Sequence, residues 1–134
     1  MVCTYCNGKT EVVNSRHQKR LNQVWRRRHC LNCGATFSTH EVTAYEGSWR
    51  VQDTKGGLHP FLRDKLLLSV YKSLEHRPQA VEEAGSLVAT IIGALAQQAD
   101  QGLLETENVA LTAHAVLNNF DTPAAVHYAA FHKL

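Results

Sequence analysis

The chain has 134 residues, 44% of them hydrophobic, and a formal net charge of +2, which is room for one ordinary domain plus a small stapled module. No apolar run approaches the ~20 residues of a membrane span, so a soluble protein is expected, with no membrane partner. The charge is uneven: residues 1–50 hold eight Lys/Arg against three Asp/Glu, and residues 51–134 hold six against nine. An N-terminal surface for a polyanion, joined to a domain with another task, is the expectation.

The first feature in chain order is Cys3-Thr-Tyr-Cys6, echoed by Cys30-Leu-Asn-Cys33; these are the four cysteines of the chain. Two residues between cysteines let both thiolates sit on one side of a tight turn, and two such knuckles complete a tetrahedral shell around Zn2+. Four thiolates leave no open position for water or substrate, so the ion is expected to be structural. Two disulfides or four free thiols are the alternatives, and an iron–sulfur cluster would also accept four thiolates. The start at Met1-Val2-Cys3, without an apolar leader, points to a reducing cytoplasm and favours metal over disulfides.

Between the knuckles, Glu11–Arg16 and Val24–His29 read as two strands around the polar turn 17–23, and Gly34–His40 supplies a third. Period-two alternation sends Arg26 and Arg28 to one face and Arg27 with Trp25 to the other. With Arg16, Lys19 and Arg20 across the hairpin, these arginines form a compact cationic patch suited to phosphates and guanine edges. A solvated basic strand is the plain alternative, but six cations on so small a module repel one another without structural gain. Trp25 and Phe37 are expected to form a miniature core.

Residues 41–48 read as an extended linker. Trp49–Asp53 and Leu58–Phe61, joined by Thr54-Lys55-Gly56-Gly57, read as a hairpin that opens a new domain. Helical periodicity then takes over: Leu66, Leu67, Val70, Tyr71 and Leu74 in a first helix, and Val81, Ala84, Leu87, Val88, Ile91, Ile92 and Leu95 on the buried face of a second. A third follows an N-cap at Thr106 and buries Val109, Ala113, Val116, Leu117 and Phe120; a fourth follows Asp121-Thr122-Pro123. The fold class is therefore α+β: a four-cysteine zinc ribbon over residues 1–46, then a mainly α-helical domain over residues 47–134 opened by a β-hairpin. No acid–base pair, nucleophile or phosphate-cradling glycine loop stands out, so no enzyme is expected. His127 and His132 are out of helical phase for a metal pair.

These residues resemble the NrdR family, repressors of bacterial ribonucleotide reductase genes that join a zinc ribbon to an ATP-cone, nearly end to end. In the ribbon the likeness rests on Cys3-x-x-Cys6, Val12-Val13-Asn14-Ser15-Arg16, Arg26-Arg27-Arg28-His29-Cys30-x-x-Cys33-Gly34 and Phe37-Ser38-Thr39-His40-Glu41. Asn14 stands where the family usually has Asp, and Thr36 where it has Arg. Farther on, Pro60-Phe61, Asp64-Lys65-Leu66, Arg77-Pro78 and Val126–Phe131 look like the ATP-cone framework.

The family's cationic nucleotide pattern is altered. Its Val-x-Lys-Arg-like opening appears here as Val51-Gln52-Asp53-Thr54-Lys55, its Arg-x-Pro-Phe turn as Leu58-His59-Pro60-Phe61, and its Tyr-x-Arg-Phe element as Ala125-Val126-His127-Tyr128. An Asp in place of a phosphate-binding Lys reverses the sign of that interaction. The resemblance implies repression by binding double-stranded operator DNA as a homo-oligomer, with ATP or dATP as effector. Val51, Lys55, His59, Arg63 and Lys65 are the residues left to hold a nucleotide, in a shifted and weakened site or in none. The alternative is an adaptor that acts through protein partners without sensing nucleotide.

Overall fold

The computed structural model describes residues 1–134, which form two compact units, Met1–Thr43 and Ala44–Leu134. Each unit has its own three-stranded sheet, and no helix is long and apolar enough to cross a membrane.

The first unit is an antiparallel meander of β1 (Thr10–Gln18), β2 (Gln23–Cys30) and β3 (Thr36–Val42). A 3-10 turn, Lys19–Leu21, links β1 to β2 and closes on Asn22, whose backbone is left-handed at φ 47°. Trp25 lies between Arg16 and His40, and Arg26 between Ser15 and Thr39; a bulge between Val12 and Asn14 shifts the register once. Directly opposed residues share a face, so Arg16, Trp25, Arg27 and His40 occupy one face, and Ser15, Arg26, Arg28 and Phe37 the other. The expected Trp25–Phe37 core is therefore corrected. The two rings stand on opposite faces, each half-buried, and the buried residues of this unit are Cys3 and Cys30 alone. Too little apolar surface is removed from water to hold this fold, so its stability rests on the cysteine cluster.

Residues 41–48 are not the extended linker expected. β3 runs through Val42 and is followed by a helical turn, α1 (Tyr45–Ser48). The turn forms because Tyr45 packs on Trp49 four residues on, with ring centroids 4.2 Å apart, while the Trp49 N–H donates to the Tyr45 carbonyl at 2.7 Å. Phe61 meets the Trp49 ring edge-on at 5.3 Å and completes an aromatic cluster.

The hairpin β4 (Arg50–Gln52) and β5 (Leu58–Pro60) follows, then α2 (Arg63–Leu74), α3 (Ala80–Leu95), β6 (Leu103–Glu105), α4 (Thr106–Phe120) and α5 (Thr122–His132). β6 lies parallel to the far side of β4 in the order β5-β4-β6. This strand, between α3 and α4, was not expected from the sequence. It moves Thr106 from cap to first helical residue, where its hydroxyl donates to the Gln52 carbonyl at 3.0 Å.

The core of the second unit includes Val70, Leu74, Val88, Ile91, Leu95, Ala113, Leu117 and Ala124, all fully buried. Each large aliphatic side chain among them contributes about 2 kcal/mol of transfer free energy. Two expected core positions are corrected. On α3 the buried stripe runs Ala80, Ala84, Leu87, Val88 and Ile91, which turns the adjacent Val81 outward to 64% exposure. Phe120, at the end of α4, is exposed and lies under the Arg77 guanidinium at 4.8 Å.

Candidate functional site

Each knuckle bends so that backbone N–H groups point at sulfur: Tyr5 at Cys3, and Asn32 and Cys33 at Cys30, each at 3.4 Å. The residue after each second cysteine has a left-handed backbone, Asn7 at φ 56° and Gly34 at φ 72°. Gly8 is required by proximity, because a Cβ there would lie 2.7 Å from the Asn32 Cβ and 3.1 Å from the Cys6 sulfur.

The four sulfurs lie within 4.8 Å of one another, with Cys3 Sγ to Cys33 Sγ at 3.7 Å and Cys6 Sγ to Cys30 Sγ at 3.5 Å. Tetrahedral Zn–S bonds of ~2.3 Å put sulfurs about 3.8 Å apart, so this cage fits one zinc ion. It is too tight for a multi-iron cluster.

Without a cation the thiols hold charge unequally. A hydrogen bond from Asn32 brings the Cys6 thiol down to about 6, and the Cys33 backbone N–H lowers Cys30. Cys33, although the Ala35 N–H favours its thiolate, is pushed up to about 12 by Cys6, desolvation, Cys30 and Cys3. A divalent cation is what lets four thiolates coexist at these distances.

The six candidate DNA-contacting cations of the ribbon do not share one environment. Arg26 donates to Ser15 Oγ and pairs with Glu41, both at 3.0 Å. Arg28 is half-buried, with Nη1 donating to Thr10 Oγ1 at 3.4 Å and a buried Nε that has no partner. On the opposite face Arg16 lies over the Trp25 ring at 5.9 Å, and exposed Arg27 donates to Thr36 Oγ1 at 3.3 Å. Lys19 and Arg20 stand exposed on the turn at the hairpin tip. Arg26 alone of the six is in an ion pair.

The second unit holds a half-open cavity of about 400 Å3 between β4, β5, α2, α4 and α5. Of the candidate nucleotide residues, Val51, His59 and Lys65 line it; Lys55 lies on the hairpin turn outside, and Arg63 is paired with Asp64 at 3.7 Å. Asp53, also in the lining, closes the hairpin: its Oδ1 accepts the N–H groups of Lys55 and Gly57 at 2.8 Å, and its Oδ2 meets His59 Nε2 at 3.0 Å. The His59 hydrogen bond, then those from Gly57 and Lys55, hold the Asp53 carboxyl below its ordinary value.

Sequence reasoning missed the inner wall. Ser69 Oγ meets His132 Nε2 at 2.7 Å, and the His132 ring stacks on buried Tyr128 at 4.1 Å. Desolvation lowers the pKa of His132 and raises that of Tyr128, so burial favours the neutral form of each. The four-residue step from Tyr128 to His132 was the available signal. Lys65 is the one Lys or Arg in the lining, against the Asp53 carboxylate. The residues present therefore do not fit a nucleoside triphosphate, which needs several cationic or amide donors around its phosphates.

A single-ion, four-thiolate ribbon bearing cations on both faces of its sheet, joined to an α+β unit with a ligand-sized cavity, defines a metal-stapled two-unit protein of the binding class. Residues 1–41 match the family model described as transcriptional repressor NrdR-like, N-terminal domain. The transcriptional repressor NrdR of Heliobacterium modesticaldum is 31% identical over 134 residues, covering 99% of this chain and 87% of that protein. That of Staphylococcus aureus strain JH9 is 31% identical over 137 residues, covering 99% and 85%. That of Halorhodospira halophila is 40% identical over 92 residues, covering 68% and 59%. The chain belongs to the NrdR family of transcriptional repressors.

Proposed function

We propose that this protein is a cytoplasmic, DNA-binding transcriptional repressor whose ribbon, residues 1–46, contacts duplex operator DNA and whose second part, residues 47–134, sets subunit assembly. Cys3, Cys6, Cys30 and Cys33 hold zinc, which supplies a rigid cross-link between the knuckles and so fixes the sheet. Arg16, Lys19, Arg20 and Arg27 meet the DNA; Arg26 and Arg28 reach it only by giving up contacts made within the sheet. The observation that carries this reading is the density of cations without acidic partners, since Arg26 is the one of the six in an ion pair. Unpaired cations on a rigid strand release counterions on meeting phosphate and supply affinity.

One ribbon covers too little DNA for tight specific binding, so the operator complex is that of a homo-oligomer. Ribonucleotide reductase genes are the targets that the family resemblance supports. ATP and dATP act weakly or not at all, because the lining of the cavity has one lysine set against Asp53. No catalysis is part of this function.

Fluorescence anisotropy on labelled promoter DNA of ribonucleotide reductase genes, as a function of salt, tests the proposal. Affinity is expected to fall steeply with salt and to collapse in an Arg26/Arg27/Arg28→Ala variant. A variant that binds as the parent does would overturn it.

A further inference from the structure

The cavity of the second unit offers apolar walls from Val51, Pro60, Phe61, Leu66 and Val109, with the polar groups gathered in two places. Ser69, Tyr128 and His132 form one, a contiguous set of neutral hydrogen-bonding groups. Asp53 with His59 forms the other, more exposed to solvent. Asp53 is held in place by two backbone N–H groups and His59, so its negative charge is fixed in the lining rather than swinging free. Helices α2 and α4 both begin at the cavity, yet each carries its own first-turn carboxylate, Asp64 and Glu107. Their positive ends are thereby compensated. What remains for a ligand is apolar surface, neutral donors and acceptors, one lysine and one fixed carboxylate.

We propose that this cavity binds an uncharged, planar heterocyclic compound of nucleoside size and rejects the polyphosphorylated forms, with Asp53 as the residue that discriminates. The walls remove the ring system from water, and Ser69 and His132 exchange their mutual hydrogen bond for bonds to its edge. A phosphate chain would lie in a lining whose single cation is offset by Asp53, and each added phosphate raises the electrostatic cost. The proposal rests on the reading that ATP and dATP act weakly or not at all at this site, but not on DNA binding, which the anisotropy assay reads independently.

Isothermal titration of the zinc-loaded full chain with adenosine, deoxyadenosine, ATP and dATP tests it. Either nucleoside is expected to bind at one site per chain, more tightly than its triphosphate. Asp53→Asn keeps the oxygen that accepts the two backbone N–H groups and removes the charge; it is expected to narrow the gap between nucleoside and triphosphate by about tenfold. A second reading needs no variant: raising salt screens like-charge repulsion, so triphosphate affinity should rise with ionic strength. Triphosphate binding as tight as nucleoside binding, triphosphate affinity that falls with salt, an unchanged gap in Asp53→Asn, or no nucleoside binding would each overturn the proposal. If the proposal fails while the promoter DNA is still bound with steep salt dependence, the repressor reading stands.

Discussion

Arg26 and Arg27, neighbours in sequence, leave β2 on opposite faces of the ribbon and meet opposite electrostatic fates: Arg26 is paired with Glu41 at 3.0 Å, whereas Arg27 is exposed with only a hydroxyl, Thr36 Oγ1, as partner. A cation already paired must exchange one carboxylate for a phosphate, and gains little. Arg27→Ala and Arg16→Ala are each expected to lower DNA affinity by about tenfold or more and to reduce the slope of log K against log salt by about 1. Arg26→Ala should cost less on both counts. Anisotropy titrations at several salt concentrations separate the three variants.

The buried residues of the first unit are two cysteines, so its folding free energy is largely metal-binding free energy, about 10 kcal/mol or more in isolated zinc modules. Stripping zinc with a chelator, or changing Cys30→Ser, is expected to collapse the amide dispersion of residues 1–43 in NMR spectra. Residues 44–134, with an apolar core of their own, should keep theirs, and DNA binding should be lost.

The knuckles, the alternation of β2 and the helices α2 to α5 were legible in the sequence because each is a local pattern: a two-residue spacing, a period of two, a period near 3.6. β6 was not. It is three residues long, and what makes it a strand is Leu104 opposite Val51, a pairing written far away in the chain. The cavity was half legible for the same reason. Val51, His59 and Lys65 come from the hairpin and the start of α2, whereas Ser69, Thr106, Tyr128 and His132 converge only when three helices pack. Asp53 showed its charge in the sequence but not its role as the closing residue of the hairpin.

Acid should loosen the second unit through Glu83. Two hydrogen bonds from Arg77 hold its carboxyl below the ordinary 4.5. A lowered folded-state pKa stabilises above the unfolded-state value and is lost as pH falls through the folded one. Parent and Glu83→Gln proteins should therefore differ in urea midpoint at pH 7 and converge as pH drops below the range of free carboxylates. Chemical denaturation at a series of pH values checks this.

Leu74 is fully buried among α2, α3 and their neighbours. Leu74→Ala removes packed methyl groups and leaves a cavity, at an expected cost of about 3 kcal/mol. The loss should appear as a lower urea midpoint for the second unit, with zinc content and the ribbon's amide spectrum unchanged.

Gly8 offers the sharpest test of the metal cage, because the atoms that a Cβ would strike are themselves part of it. The Asn32 Cβ, 2.7 Å away, cannot rotate aside, and the sulfurs of Cys6 and Cys30 stand at 3.1 and 3.3 Å. Gly8→Ala must move one knuckle against the other, so overpacking of about 1–3 kcal/mol falls on the zinc site. Gly34→Ala meets open space and bears only the left-handed φ of 72°, worth about 1–2 kcal/mol. Competition with a chromophoric chelator should show zinc affinity falling about tenfold or more in Gly8→Ala, with Gly34→Ala nearer the parent. Equal losses in the two variants would mean that backbone strain, not the closeness of the two knuckles, sets the stability of the cage.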